Sequence, residues 1–524
     1  MLTAHSEHPD IPQLLLRCEE TGIAPEYVPG GGEYPHVVYR EGDGREVIVV
    51  SDLHIAAGLD RDGRYSGTEN FFSDDAFGRF VDYMRSEVRE RKGILVINGD
   101  FLDFLRIVET PREKAEFREW SEMLAEVGIQ KTPDELEKAI DNRKEREFGM
   151  KTHDYRSVWR LRRSVSGHRE LFSALARWLG DEGNQLVIVK GNHDLEWYWL
   201  GVRNALRLEL AKIIAATSGN DLESVLTRRV LPDLIFIDDA LLIDTDLYIE
   251  HGHRYDRYTL VLGEPAQVFD KESGELELDI PFGSFFNRYI LNRLESSYPY
   301  IDNVRPRENI LPLLVRERFP LALKLIFYHA RFLYQVLRKN WRYVRFMFGR
   351  FFAILLAVVF PLALLIFLFA ERSGEVFGLL FSPRQRPTTL KENIITALLD
   401  VFKYVGGLIL SYFLARLVAG LQLSEPSSLE KNARQIMRNL DYRFVTMGHT
   451  HNPDQFQVEG RWFYNTGTWI PVLETSSAEV RHDMMYCFLH FRRDMNTGRL
   501  LPHYLQQWND KAERVERWPI IARQ

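Results

Sequence analysis

The chain has 524 residues, 67 Lys and Arg against 74 Asp and Glu, and a formal net charge of −7. That length allows a large core split over several domains at ~100–200 residues each, and the charge supplies no global basic field of the kind nucleic acid demands. Cys18 and Cys487 are too few for a disulfide framework and fit a reducing compartment, and residues 1–12 lack the apolar core of a secretory leader.

Residues 1–45 read as a polar N-terminal extension, with Gly30-Gly31-Gly32 as a loop. Five short apolar runs follow, and each feeds a polar motif. Glu46–Val50 leads into Ser51-Asp52-Leu53-His54, residues 93–97 into Gly99-Asp100-Phe101-Leu102-Asp103, and Gln185–Val189 into Gly191-Asn192-His193-Asp194. Residues 247–249 lead into His251-Gly252-His253, and Phe444–Met447 into Gly448-His449-Thr450-His451. Two further strands are expected at 461–464 and 484–489. β-Branched runs separated by helical stretches predict an α/β fold that carries its functional groups at the strands' carboxyl ends.

The pattern divides this core in two, residues 46–257 and 441–524. Inside the first part, residues 107–180 are charge-rich and helical in pattern, and read as a solvated helical cap. Residues 258–440 form a second, larger insertion. Within it, 351–370 is a run of 20 uncharged residues broken only by Pro361, and a bilayer core needs ~20 apolar residues. The weaker region 398–423 holds an uncharged stretch between Lys403 and Arg416. Arg331, Arg338, Lys339, Arg342, Arg345 and Arg350 crowd the approach to the first segment among aromatic residues. So close to an apolar span, they read as an amphipathic membrane-surface helix rather than a nucleic-acid contact.

Side chains at i and i+2 of a strand point the same way, so Asp52 and His54 are expected to grip one metal ion. His449 and His451 share that spacing and can each reach one of two adjacent ions. Asp100 has two oxygens with which to bridge them, Asn192 offers a carbonyl and His251 an imidazole. Gly99 and Gly191 stand at sharp strand exits, where glycine tolerates dihedrals other residues avoid. This nitrogen and oxygen set suits Mn, Fe or Zn better than Ca and lacks the thiolates of a structural zinc site. One Asp-x-His alone would read as an ordinary surface pair; five blocks in one order point to a two-metal hydrolytic site.

The blocks and their order resemble the calcineurin-like metallophosphoesterase family: D-x-H, G-D-x-x-D, G-N-H-D, a histidine in an H-G-like block, and G-H-x-H. Tyr464-Asn465-Thr466-Gly467-Thr468-Trp469 is similar to the strand and turn that follow the last block in that family. The resemblance covers about residues 45–105, 185–260 and 440–495. It implies a four-layer α/β sandwich, here with a large helical, membrane-associated insertion, and a phosphoester hydrolase that uses a hydroxide bridging two divalent ions for in-line attack. Carried over by resemblance, one ion takes Asp52, His54, Asp100 and His451, and the other takes Asp100, Asn192, His251 and His449. His193 contacts the phosphate and protonates the leaving group, Asp194 orients it, and Asn192 and His193 line the substrate. His253 is either a group behind the ligands or a substrate contact, and Asp103 a supporting residue rather than a ligand.

The Asp-Leu-His-Ile opening and the membrane character are similar to the UDP-2,3-diacylglucosamine pyrophosphatase branch. The chain departs from that branch in carrying His193 where it typically has arginine, and in its far larger insertion. A lipid-linked phosphate or pyrophosphate ester is the attractive substrate, with phosphoprotein and nucleotide esters open. The alternative is a catalytically silent scaffold on the same fold, although such a scaffold would be free to lose residues this chain keeps. A membrane-anchored interaction protein holding no metal is the third class. Because all five blocks must meet at one site, the insertion crosses any membrane an even number of times, and the basic flank puts the catalytic part in the cytoplasm.

Overall fold

A computed structural model describes residues 37–295 and 429–519, apart from 141–142, 257, 272, 440–441, 475–478 and 502, together with 11–12, 14–15, 26–28, 304–305 and 320. The chain divides into two units, Met1–Ile326 with Pro426–Gln524, and Phe327–Glu425. The segments expected to meet a membrane, 351–370 and 398–423, belong to the second and lie outside the described residues. Among the described residues no helix is long and apolar enough to cross a membrane.

The first unit is mixed α/β, with two seven-stranded sheets. In chain order their strands are β1 (Glu26–Val28), β2 (Val37–Arg40), β3 (Glu46–Val50), β4 (Gly93–Asn98), β5 (Gln185–Val189), β6 (Leu234–Ile237), β7 (Ala240–Ile243), β8 (Leu247–Glu250), β9 (Phe444–Met447), β10 (Asp454–Val458), β11 (Arg461–Asn465), β12 (Cys487–Phe491), β13 (Gln506–Asn509) and β14 (Arg514–Arg517). One sheet runs β14-β13-β12-β3-β4-β5-β6 and the other β1-β2-β7-β8-β9-β11-β10. β3, β4, β5 and β6 are parallel neighbours, with Val49 opposite Val96 and Val96 opposite Val187. β8, β9 and β11 are likewise parallel. The parallel sets aim their carboxyl ends at one edge, where the five motifs begin.

Alternation along these strands builds the layers. Val47 and Val49 join Ile94, Val96, Val187, Leu241, Ile243, Leu247 and Ile249 in a core between the sheets. Their neighbours Ile48, Val50, Leu95, Ile97 and Ile188 point the other way, into a core shared with helical residues. Buried on both faces, such strands read as unbroken apolar runs. The helices are α1 (Asp74–Glu87), α2 (Lys114–Glu126), α3 (Pro133–Ile140), α4 (Arg143–Phe148), α5 (Asp154–Gly167), α6 (Arg169–Gly180) and α7 (Leu200–Ser218). On the far side of the second sheet, Leu242, Tyr248, Val445 and Met447 pack on Ala433, Ile436 and Met437 of α8 (Glu430–Asn439). The order is helices, sheet, sheet, helix. Truncating a buried leucine in such a core costs ~2–5 kcal/mol, so the strand ends form a stiff base for the site.

Two expectations change. Residues 107–180 do not form a solvated cap. α6 buries Leu171, Phe172, Leu175, Trp178 and Leu179 on one stripe, and Trp120, Leu124, Leu136 and Leu161 share the same core; charged residues among these helices, Glu145, Arg156 and Arg160, are buried too. The second late strand begins at Cys487 rather than 484, because His482–Met484 turns as a 3-10 helix.

Candidate metal centre

Past the end of β3 the chain stays zipped to its neighbour. Asp52 N donates to Gly99 O (3.2 Å), His54 N to Asp100 O (2.8 Å) and Ile55 N to Phe101 O (3.1 Å). Thr468 Oγ1 donates to Asp52 O at 2.8 Å, and Ser51 and Thr466 share a hydroxyl hydrogen bond of 2.7 Å. Five expected ligands lie in the left-handed region, with φ of 53° at Asp52, 48° at His54, 50° at Asp100, 69° at His449 and 56° at His451. Each costs a residue with a Cβ ~1–3 kcal/mol, a strain held only where the surroundings over-determine it. Asp52 and His54 do share a cluster, but the strand pleat is not the cause: both stand beyond the strand, aimed by left-handed backbone.

Two glycines make room. Gly99 has φ 79°, and a Cβ there would run into the His251 ring. Gly191 is different. Its φ is not positive, and its constraint is close approach, because a Cβ would strike Asp100 Oδ1 and backbone N.

The side chains converge in three overlapping groups. Asp52, His54 and His451 each bring one ligand atom within 4.8 Å of the others, as do Asp100, His251 and His449, and also His54, Asp100 and His193. Asp52 Oδ1 is 3.4 Å from His451 Nε2 and 3.8 Å from His54 Nε2, and the two Nε2 atoms are 2.9 Å apart. Asp100 Oδ2 lies 3.1 Å from His251 Nε2 and 3.6 Å from His54 Nε2. Ligand atoms at ~2.0–2.2 Å around a tetrahedral ion stand ~3.4 Å from one another, so these spacings suit cation binding. Asn192 Oδ1, His251 Nε2 and His449 Nε2 are buried without a hydrogen-bond partner, which is costly unless something else satisfies them. The residues present therefore fit a pair of N/O-bound divalent ions. His251 is fixed from behind, its Nδ1 2.9 Å from Asn98 O, as metal-binding imidazoles commonly are.

The electrostatics agree. Burial opposes ionisation of Asp52, Asp100 and Asp103, yet neighbouring imidazoles outweigh it and hold all three carboxyls well below the usual range. Burial likewise opposes charge on His54, but Asp103, Asp52 and Asp100 push it up to about 10. Asp100 and Asp52 push His251 up to about 9 against its own burial. Carboxylates this dense and this buried need compensating positive charge.

His193 is the most open of the group, 19% exposed, with Nδ1 2.8 Å from Asp103 Oδ2. Its backbone N–H donates to Asp100 Oδ1 at 2.9 Å, and its ring meets that of His54 edge-on at 4.8 Å. Asp194 is not its partner, contrary to expectation. That carboxylate accepts from Gly191 N (2.6 Å), Phe101 N (2.9 Å) and Trp197 Nε1 (3.0 Å), binding the two motif loops together; burial and Asp100 push it up to about 7. Asp103 takes the orienting place and is itself clamped by Arg106 Nε at 2.8 Å. Its position in the second motif was visible in the sequence, its direction was not.

His253 stands outside the three groups. It is 4% exposed, with Nε2 3.2 Å from Val261 O and its ring 5.5 Å from that of His251. Burial, with the charges of His251 and His449, keeps it well below its ordinary range. It is a neutral support behind His251 and not an open substrate contact. Asp256, which no motif flagged, faces His449 Nε2 at 3.5 Å. No protein-family model, curated protein or solved structure matches the chain.

Proposed function

We propose that this chain is a two-metal phosphoester hydrolase of the calcineurin-like metallophosphoesterase kind, and that its layered α/β unit is that family's sandwich. The observation that carries the reading is Asp100, a buried carboxylate shared by two of the three ligand groups, with the accessible His193 beside it. In this reading Asp52, His54, Asp100 and His451 hold one ion, and Asp100, Asn192, His251 and His449 the other. When bound, two Mn, Fe or Zn ions place positive charge at the phosphoryl oxygens and lower the pKa of water. The chain's own residues do the rest. Asp103 accepts a hydrogen bond from Nδ1–H of His193, which leaves the proton on Nε2 to go to the leaving oxygen.

The substrate is a phosphate or pyrophosphate ester, and the apolar segments 351–370 and 398–423 make a lipid-linked one the first to try. For localisation we propose a membrane hairpin at these segments, with attachment along the membrane surface as the alternative, and the catalytic unit on the cytoplasmic side. A tag near Pro383 is then labelled from outside intact cells while a C-terminal tag is not. The deciding experiment is elemental analysis of the purified protein together with hydrolysis of mono-, di- and pyrophosphate esters, soluble and lipid-linked, under added Mn, Fe or Zn. Metal-dependent turnover supports the reading; metal bound without turnover of any ester leaves a scaffold.

A further inference from the structure

The expected insertion starts at residue 258, yet its opening segment is not separate from the site. Residues 282–295 run as three successive turns, Phe282–Phe286, Asn287–Leu291 and Asn292–Glu295, the middle one a π-helix. Isolated π turns recur at functional sites, because they re-aim the side chains they carry. From this segment Ser284 Oγ donates to Asn192 O at 3.3 Å, and Asn292 Nδ2 to Leu105 O at 2.6 Å. Glu295 pairs with Arg106, the residue that clamps Asp103. At the centre, Asn287 places Nδ2 3.5 Å from His193 Nδ1.

With the Nδ1 hydrogen given to Asp103, the Asn287 amide packs against the same ring edge. The imidazole is then caged by Asp103, by Asn287 and by the edge-on ring of His54. Asn287 is 3% exposed, and its Oδ1 is buried with no hydrogen-bond partner. A residue needed only to fill space here would be apolar, since an unpaired buried amide oxygen is costly.

Resting on the phosphoesterase reading, we infer that Asn287 is a positioning residue for His193, so that the root of the insertion is built into proton delivery to the leaving group. The segment touches the proton donor directly through Asn287 and its carboxylate partner Asp103 through Glu295 and Arg106.

The test compares the full-length wild type with Asn287→Ala and Asn292→Ala, assayed on an alkyl phosphate ester, which needs a proton on its leaving oxygen, and on p-nitrophenyl phosphate, which does not. Asn287→Ala is expected to lose ~10–10²-fold in kcat on the alkyl ester, to change less than ~3-fold on the nitrophenyl ester, and to keep its metal content. Asn292→Ala, which removes a bond from the same segment at a distance from His193, leaves the ratio of the two rates unchanged. Equal losses on both esters, an unchanged ratio in Asn287→Ala, the same ratio change in Asn292→Ala, or loss of metal or of the folded transition in Asn287→Ala each overturn the inference, since the amide is then only structural. A wild type that turns over no mono-, di- or pyrophosphate ester, soluble or lipid-linked, with any metal rejects the phosphoesterase reading itself, a result distinct from all of these.

Discussion

Asp103 Oδ2 stands 2.8 Å from His193 Nδ1, whereas Asp194, the next residue in the chain, turns its carboxylate to two backbone N–H groups and an indole. The two motif carboxylates thus have opposite duties. One orients the proton donor, and the other ties the loop carrying Asn192 and His193 to the loop carrying Asp100.

Substitution separates the two. Asp103→Asn keeps the volume but loses the charge that orients the imidazole, and it is expected to retain metal while kcat on poor leaving groups falls ~10–10²-fold. Asp194→Asn turns an NH₂ toward N–H donors and is expected to lower unfolding free energy by ~1–3 kcal/mol. Steady-state kinetics and denaturant titration of both variants read the contrast. The reverse pattern would return the orienting role to Asp194.

Removing metal should destabilise the fold as well as stop turnover. Asp52, Asp100 and Asp103 are at most 1% exposed, and without cations their charges rely on nearby imidazoles, backbone N–H groups and Arg106. At ion concentrations ~100 times Kd each site adds ~2.7 kcal/mol, worth several degrees in a unit of this size. Chelation is expected to lower Tm accordingly, and Zn or Mn to restore it. Asp100→Asn should bind less than half the metal of the wild type, because both ions share that carboxylate. A Tm indifferent to chelator would show that no ion stabilises this site.

Much of the site was legible because the strands that carry it are short, apolar and each followed at once by polar ligands. Glu46–Val50, Gln185–Val189 and Phe444–Met447 are strands with those very bounds, and His54, His251 and His451 enter the groups their motifs suggested. What stayed hidden depends on backbone direction and on contacts distant in sequence. The left-handed turns at Asp52 and His54 leave only a weak signature in residue type, since neither is glycine and Asp and His are merely enriched in that region. Asn287 lies 94 residues from the histidine it abuts, inside an insertion that no motif marked as part of the site. The helices between 107 and 180 misled because their charges are frequent, and some of those charges, Arg156 and Arg160 among them, are buried in ion pairs rather than solvated.

Gly191→Ala tests close packing without removing a ligand. The added methyl meets Asp100 Oδ1 and its backbone N, atoms that cannot retreat without moving the shared carboxylate. The variant is expected to bind metal at least ~10-fold more weakly than wild type, as second-layer changes commonly do. Isothermal titration with Mn or Zn measures it. An alanine variant with undiminished affinity would mean the loop yields easily and Asp100 is not held by this contact.

A second buried ionic group, away from the ligands, gives a pH signature to folding. His168 Nε2 lies 3.1 Å from Glu69 Oε2 and its Nδ1 lies 3.0 Å from Asp74 Oδ1, while Glu69 also accepts from Ala56 N (3.1 Å) and Gly58 N (2.6 Å) just after His54. Burial works against charge on His168, but Glu69 and Asp74 outweigh it and push the imidazole up to about 9. Since the folded value lies above the unfolded one, near 6.5, the contribution is complete below pH ~6.5 and disappears as pH rises through ~9. At ~1.4 kcal/mol per pKa unit it is of order 3 kcal/mol. Glu69 is shifted the other way, so its own contribution is lost only on the acid side, as pH falls below ~4.5, and does not enter this window. Unfolding free energy is therefore expected to fall between pH 6.5 and 9 in the wild type, and His168→Gln, which cannot gain the proton, should flatten that slope while lowering stability most at pH 6. Equal slopes in the two proteins would show that His168 folds uncharged.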